Sequence, residues 1–239
     1  LNPQKVEAHE KFSGVFWVWM EDGTRRLATE NLAPEKTVYG EKLIKFYGRE
    51  YRVWDPYRSK LAAAILRGLN VLPLKESSKV LYLGAATGTT ASHVSDIVGL
   101  TGRVYCVDFA ERVMRELINN VCAYRPNMVP LLADARKPET YRFVVEKVDF
   151  IYCDVAQPEQ AKILADNADL YLKNGGKAAI AIKARSIDVT KHPSEIFKRE
   201  IKVLEDRGLR KIEAVDLEPY DKAHSLILTE YKPSRKGGR

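Results

Sequence analysis

Short apolar runs alternate with polar breaks along this chain, and the breaks change character partway through. Residues 1 to about 55 read as β-rich. Val15 to Met20 predicts a strand, Glu21-Asp22-Gly23-Thr24 a hairpin turn with the favoured Asp-Gly pair, and Arg25 to Leu32 the returning strand. Val38 to Tyr47 and Glu50 to Trp54 read as further short strands. So many aromatic residues in so few positions predict a small sheet that needs a neighbour to bury it; a docking face for a partner protein is the other reading. Asp55-Pro56 stops the region. Ser59 then reads as an N-cap and Lys60 to Leu69 as a helix, with Leu61, Ile65 and Leu69 on one stripe and Gly68-Asn70 near its end.

From Lys79 onward, strand and helix patterns alternate. The strands expected are Val80–Leu83, Val104–Asp108, Val129–Leu132, Phe150–Asp154, Ala178–Lys183, Ile212–Leu217 and Ser225–Tyr231. The helices expected are Ala91–Val98, Glu111–Tyr124, Glu159–Leu172 and Glu195–Asp206. Within the second, Val113, Leu117, Ile118 and Val121 fall on one face at a 3.6-residue period. This order predicts an α/β fold: a seven-stranded, doubly wound, Rossmann-like sheet with ligands at the carboxyl ends of the strands. The division expected is a small β-rich N-terminal domain over residues 1–55, the α/β domain over 56–232 and a basic, disordered tail over 233–239.

The most informative stretch is Val80 to Thr90, an apolar run, a Gly-rich turn and then a helical pattern carrying Val94, Ile97 and Val98. Such a turn presents free N–H groups at a helix start. Asp108 ends the next strand, twenty residues past Gly88, the spacing at which an acid grips ribose hydroxyls in a nucleotide-binding αβ unit. The turn is not G-x-G-x-x-G, because Ala86 stands where a dinucleotide fold needs its second Gly beside a pyrophosphate. That argues against NAD and for a nucleoside ligand without pyrophosphate, such as S-adenosylmethionine.

Polar residues recur at the strand ends where this fold puts its crevice. They are Gly84 to Thr90, Asp108-Phe109, Asp134-Ala135, Asp154-Val155-Ala156-Gln157 and Lys183. Asp108 can take ribose hydroxyls, Phe109 can lie against adenine, and Asp134 can accept from an adenine amino group. Each acid can equally cap the next turn. Asp154 and Lys183 follow apolar strands, so both are expected to be partly desolvated, and a pair of them could orient a hydroxyl and receive its proton. The other reading of Lys183 is an amine snorkelling to the rim. His224 precedes the last strand, His93 lies in the first turn after the Gly-rich loop, and His9 and His192 read as surface.

Charge and cysteines change this picture little. The net charge is +7, of which the tail from Lys232 to Arg239 carries four, and seven basic residues face three acidic ones between Lys36 and Lys60. A basic balance favours polyanionic partners without distinguishing nucleic acid from ordinary solubility. Cys106, Cys122 and Cys153 have no metal-ligand spacing and read as buried, reduced thiols. No metal site is expected, and no apolar run approaches the ~18 residues of a membrane span. No charged-then-apolar leader is seen, and a cytoplasmic protein is expected.

Four longer stretches closely resemble the signatures of the fibrillarin family. They are Glu50 to Ile65 (EYRVWDPYRSKLAAAI), Tyr82 to Asp96 (YLGAATGTTASHVSD), Cys153 to Pro158 (CDVAQP) and Ile182 to Asp188 (IKARSID). The resemblance covers nearly the whole chain and, without a Gly/Arg-rich N-terminal extension, is to the archaeal form. It implies an S-adenosylmethionine-dependent methyltransferase fold and box C/D guide-RNA-directed 2′-O-methylation of ribose in ribosomal and transfer RNA. It further implies a Nop-domain scaffold protein and a kink-turn-binding ribosomal-type protein as partners. Carried over by motif, the cofactor contacts are Gly84, Ala85, Thr89, Thr90, Asp108, Phe109, Asp134, Ala135 and the run Asp154, Val155, Ala156 and Gln157. The family's Lys-Asp-Lys-His constellation falls on Lys60, Asp154, Lys183 and His224, the last on the short match Ala223-His224-Ser225. Competing readings are a stand-alone methyltransferase of a protein glutamine or a small molecule, a nicotinamide dehydrogenase, and a non-catalytic RNA-binding module. The missing second Gly counts against the dehydrogenase, and the Asp154/Lys183 pair against the pure binder.

Overall fold

A computed structural model of the chain describes residues 5–183 and 193–233. The end of the fourth resembling stretch, Ala184 to Asp188, lies outside them, as do His192 and the tail after Pro233. The N-terminal strands Lys5–Ala8 (β1), Val15–Trp19 (β2), Arg25–Glu30 (β3), Leu43–Phe46 (β4) and Arg49–Val53 (β5) form an antiparallel sheet in the order β1-β2-β3-β5-β4. The Asp-Gly hairpin joins β2 to β3, where Asp22 accepts from the backbone N–H and the hydroxyl of Thr24. β1 was not legible in the sequence: four residues, KVEA, with no fully buried side chain, leave no alternation to read.

The second sheet contains Lys79–Leu83 (β6), Arg103–Asp108 (β7), Met128–Leu132 (β8), Val148–Cys153 (β9), Leu172–Lys183 (β10), Leu209–Asp216 (β11) and His224–Tyr231 (β12). Its order is β11-β12-β10-β9-β6-β7-β8, with β12 antiparallel to both neighbours and the strands from β8 to β10 parallel. The period-2 alternation of these strands feeds two cores. Val80, Tyr82, Phe150, Tyr152, Ala179 and Ala181 face one side with the helices Lys60–Leu66 (α1), Thr89–Val98 (α2) and Glu111–Asn120 (α3). Leu81, Leu83, Ile151, Cys153, Ile180 and Ile182 face the other with Gln160–Tyr171 (α4) and Pro193–Asp206 (α5).

The small sheet finds its neighbour on the first side. Phe12, Val15, Trp17, Leu27 and Trp54 share one apolar core with Val94 and Ile97 of α2. A buried polar network crosses the same seam. Asp96 of α2 accepts from Leu32 N (2.9 Å), Thr29 Oγ1 (2.7 Å) and Arg125 Nη1 (2.5 Å). Arg52 Nε lies 3.0 Å from Glu41 Oε1 and its Nη1 3.6 Å from Asp96. His93 bonds Thr29 and Tyr39 and stacks on Trp54 with ring centroids 4.9 Å apart.

Three expectations are corrected here. The buried stripe of α3 is Met114, Leu117 and then Val121, while Ile118, turned about 100° round the helix from Leu117, is exposed; the helix itself stops at Asn120 and the chain tightens to a 3-10 turn over Cys122–Tyr124. His9 is not a surface residue: its ring stacks on Phe12 and Trp17, at 4.8 and 5.2 Å. Arg52, counted among the basic residues before Lys60, is fully buried in the network and adds nothing to the surface charge. The thiols behave as expected of buried groups. Burial raises Cys122 to about 11 and Cys153 to about 12, and holds Cys106 well above the usual thiol range.

Candidate active site

β6 and β9 are neighbours, but the chain winds outward from β6 through β7 to β8 and resumes on the other side with β9 and β10. The crevice of an open α/β sheet lies at such a reversal. Gly84 follows β6 and Asp154 follows β9, and Asp154 N donates to Leu83 O at 3.0 Å. A Cβ on Gly84, which has φ +80°, would stand 2.5 Å from the carbonyl oxygen of Asp154. Only glycine therefore lets the two strand ends approach this closely. The turn continues through Ala86 at φ +48°, whose N–H donates to Asp108 Oδ2 at 3.0 Å. Asp108 Oδ1 accepts from Ala110 N, so this carboxylate ties the Gly-rich turn to the start of α3.

A cavity of about 270 Å³ opens there. Of the residues expected to contact a cofactor, Gly84, Asp108, Phe109, Asp134, Ala135, Asp154, Val155, Ala156 and Gln157 line it. Phe109 is 65% exposed, a ring face free for a planar ligand. Ala86, within the expected turn Gly84 to Thr90, lines it too, and Val107, Ala133, Arg136 and Ile163 line it without having been expected. Ala85, Thr89 and Thr90 do not line it. Ala85 is buried, and Thr90 is turned inward by donating to Ser59 Oγ at 2.9 Å. Arg136 clasps Asp134 with Nε and Nη2 at 2.7–3.0 Å, and these bonds hold the Asp134 carboxyl below its usual range. The rim thus carries three carboxylates and one guanidinium already engaged. Such a rim repels a pyrophosphate and suits a nucleoside bearing positive charge.

Beside the cavity stands a charged cluster. Ser59 caps α1 by accepting from Ala62 N at 3.3 Å, which sets Lys60 as the first helical residue. Lys60 Nζ donates to Asp154 Oδ1 at 3.0 Å and Oδ2 at 2.9 Å, with both side chains about a quarter exposed. A second carboxylate, Asp221, approaches Lys60 Nζ to 3.9 Å through Oδ2. Its Oδ1 lies 2.7 Å from His224 Nδ1. The carbonyl oxygen of Lys222 is 3.1 Å from the same nitrogen. Both partners of Nδ1 are acceptors, so Nδ1 carries a hydrogen. Lys183 and His224 are directly opposed in the β10–β12 ladder, hence on one face. That face is the one carrying Tyr152 and α1.

The structure therefore brings Lys60, Asp154, Asp221 and His224 into one chain of contacts, with Lys183 registered against His224. The expected Asp154–Lys183 pair is not what forms. Lys60 occupies the Asp154 carboxylate, and Lys183, the last residue of β10, is exposed, with no hydrogen bond or ion pair to Asp154 among the described residues. Sequence reasoning missed Asp221. Its signal was present, an acid three residues before the histidine that opens a strand, but nothing local says that the intervening turn folds back onto the imidazole.

Comparison with known proteins agrees with the architecture. The fibrillarin family profile matches residues 6–233. A fibrillarin-like rRNA/tRNA 2′-O-methyltransferase of Methanopyrus kandleri is 56% identical over 227 residues, covering 95% of this chain and 97% of that protein. The crystal structure of Aeropyrum pernix fibrillarin, which contains natively bound S-adenosyl-L-methionine, superposes with a TM-score of 0.91 at 54% identity, covering 96% of this chain and 99% of that one. A fibrillarin chain from a fibrillarin/Nop5p complex superposes at 0.78 with 42% identity, covering 92% and 97%. With the profile, the identity and the fold all spanning nearly the full length, this chain belongs to the fibrillarin family.

Proposed function

We infer that this protein is an S-adenosylmethionine-dependent RNA 2′-O-methyltransferase acting on ribosomal and transfer RNA under box C/D guide RNA. The observation that carries the reading is the Lys60–Asp154 pair, placed beside a cavity whose rim is acidic and nucleoside-sized. Within this reading the unit of residues 1–55 supports the α/β unit of 56–232, with the tail 233–239 appended. A Nop-domain scaffold protein, a kink-turn-binding ribosomal-type protein, the guide RNA and the target RNA are its partners, in the cytoplasm of an archaeal cell.

The cavity residues fit the cofactor. Asp108 retains lone pairs for ribose hydroxyls beyond its two backbone bonds, Phe109 offers its exposed ring to adenine, and Asp134 and Asp154 suit a cation. When bound, S-adenosylmethionine supplies an electrophilic sulfonium methyl group. The protein's task is then to align a ribose 2′-hydroxyl with it and dispose of the hydroxyl proton. Positioning of this kind supplies much of a rate enhancement. Lys60, fixed by two carboxylate oxygens, is a rigid donor to the 2′-oxygen. Lys183, directly opposite His224 in the ladder, takes the hydroxyl proton through its free-amine form and releases it to solvent, while His224, held by Asp221, helps to hold the substrate in place.

The test is single-turnover transfer of tritiated methyl to a target RNA, with the chain alone and with guide RNA and both partner proteins. Site-specific transfer is expected only in the assembled complex. Lys183→Ala there should lower the rate about 10²–10⁴-fold and leave calorimetric cofactor affinity intact. Retention of more than about a tenth of the wild-type rate would reduce Lys183 to a surface amine, since that is far above the loss of an acid–base residue. Robust site-specific methylation by the isolated chain would favour the stand-alone enzyme.

A further inference from the structure

A second cavity, of about 600 Å³, runs along the seam where the small sheet meets the start of α1. It is lined by the end of the β2–β3 hairpin, the loop through Tyr39 to Lys42, the segment Val53 to Arg58, and Tyr220. Three of its cations, Arg26, Lys42 and Arg58, form no ion pair among the described residues, and Arg58 lies over the ring of Tyr39 at 5.5 Å. Its two acids are already engaged internally. Glu41 is buried against Arg52 and accepts from the N–H groups of Val38 and Tyr39, and Asp55 accepts from Tyr57 N at 2.8 Å.

The groove leads to the reaction cluster. Tyr57, 69% exposed, meets Tyr220 edge to face at 5.2 Å, and these two residues lie just before Lys60 and Asp221 in the chain. Lys60 and Asp221 are themselves 3.9 Å apart. Cations without ion-pair partners beside exposed aromatic rings are the chemistry that holds a nucleic-acid backbone. We propose that this groove seats the phosphodiester backbone of the RNA strand carrying the target nucleotide, on the side of the reacting ribose away from the cofactor. This rests on the function proposed above. Arg26, Lys42 and Arg58 neutralise successive phosphates, and the Tyr57–Tyr220 pair marks the point where the strand enters the reaction cluster. The contacts read backbone rather than sequence, as a guided enzyme requires.

The test uses the full chain and a fluorescein-labelled A-form RNA duplex, with anisotropy measured across a salt series. A triple variant, Arg26→Gln, Lys42→Gln and Arg58→Gln, should keep its melting temperature and its calorimetric affinity for S-adenosylmethionine. Its slope of log affinity against log salt should shrink by about 3, roughly one per phosphate contact. Arg115→Gln, an exposed cation on α3 outside the groove, should leave the slope unchanged. An unchanged slope in the triple variant, or an equal change in Arg115→Gln, overturns the proposal. So does a triple variant that loses the Nop-domain protein while its RNA slope stays the same, because the groove would then belong to a protein. Failure of the wild-type chain to bind S-adenosylmethionine would strike the proposed function instead, and the salt slopes are read independently of it.

Discussion

Asp221 holds His224 Nδ1 at 2.7 Å with one oxygen and faces Lys60 Nζ at 3.9 Å with the other. A carboxylate so placed fixes both the tautomer and the orientation of the imidazole, a positioning role rather than contact with the reacting atoms. Asp221→Asn keeps the shape and loses the charge and the unambiguous acceptor. Single-turnover methyl transfer should fall about 10²-fold, the scale of an ångström-level misplacement, while cofactor affinity stays unchanged. Asp221→Glu should recover part of the loss. An Asn variant at wild-type rate would leave Asp221 as a simple turn residue. The same residue-level reading separates Lys60 from Lys183. One is half-enclosed and bonded through two oxygens, the other is exposed at a strand end, although both lie in family-like motifs.

At the scale of elements, the crevice depends on how closely β6 and β9 end together. Gly84→Ala adds a left-handed-region penalty of about 1–2 kcal/mol and a Cβ 2.5 Å from backbone that cannot move aside. Gly40→Ala, at φ +79° with nothing within 4 Å of its Cβ, carries the backbone penalty alone. Urea midpoints should therefore fall further for Gly84→Ala than for Gly40→Ala, and only the former should lose affinity for S-adenosylmethionine. Equal losses at both sites would show that the strand ends have room to part. The elements themselves were largely legible. Short apolar runs marked all seven strands of the large sheet, although β10 begins at Leu172 and its expected start was Ala178, while the short, mostly polar β1 left no trace. The stripe of α3 was misjudged because Ile118 is apolar yet exposed, and periodicity alone does not say where a helix stops.

Across the whole molecule, the two sheets are locked by a buried polar network as well as by a shared apolar core. Burial, reinforced by the guanidinium groups of Arg52 and Arg125, holds the His93 imidazole well below its usual range, so it is neutral in the folded state. The unfolded chain protonates His93 near 6.5 and the folded chain does not. The stabilisation is therefore fully present above about pH 6.5 and is lost progressively as pH falls. With no uptake of a proton in the folded state, the loss approaches 1.4 kcal/mol per pH unit, or about 2 kcal/mol between pH 6.5 and 5. His9, lowered mainly by burial, acts in the same direction. Urea denaturation at pH 7 and pH 5 should show this loss in the wild type and a flatter dependence in His93→Gln, whatever the variant's stability at neutral pH. Parallel pH dependences would mean that His93 does take up its proton inside the fold.

Local pattern alone determined the α/β alternation, the Gly-rich turn without a pyrophosphate-binding glycine, the acids at the strand ends and the capped start of α1. Each of these follows from backbone conformation or from a period of two or 3.6, which neighbours along the chain express by themselves. A long family-like motif also pointed to Lys60, and a short one to His224, positions that carry no chemistry until the chain is folded. Which partner each charged group takes was decided only in three dimensions. Asp154 could have met Lys183 at the end of the adjacent strand, and the N-terminus of α1 placed Lys60 on it instead. Arg52 looked like surface charge and became core, while Arg26, Lys42 and Arg58, close by in sequence, were left to line an open groove. An ion pair depends on the separation of groups far apart in the chain and on the water excluded around them, and neither quantity exists before the sheets pack.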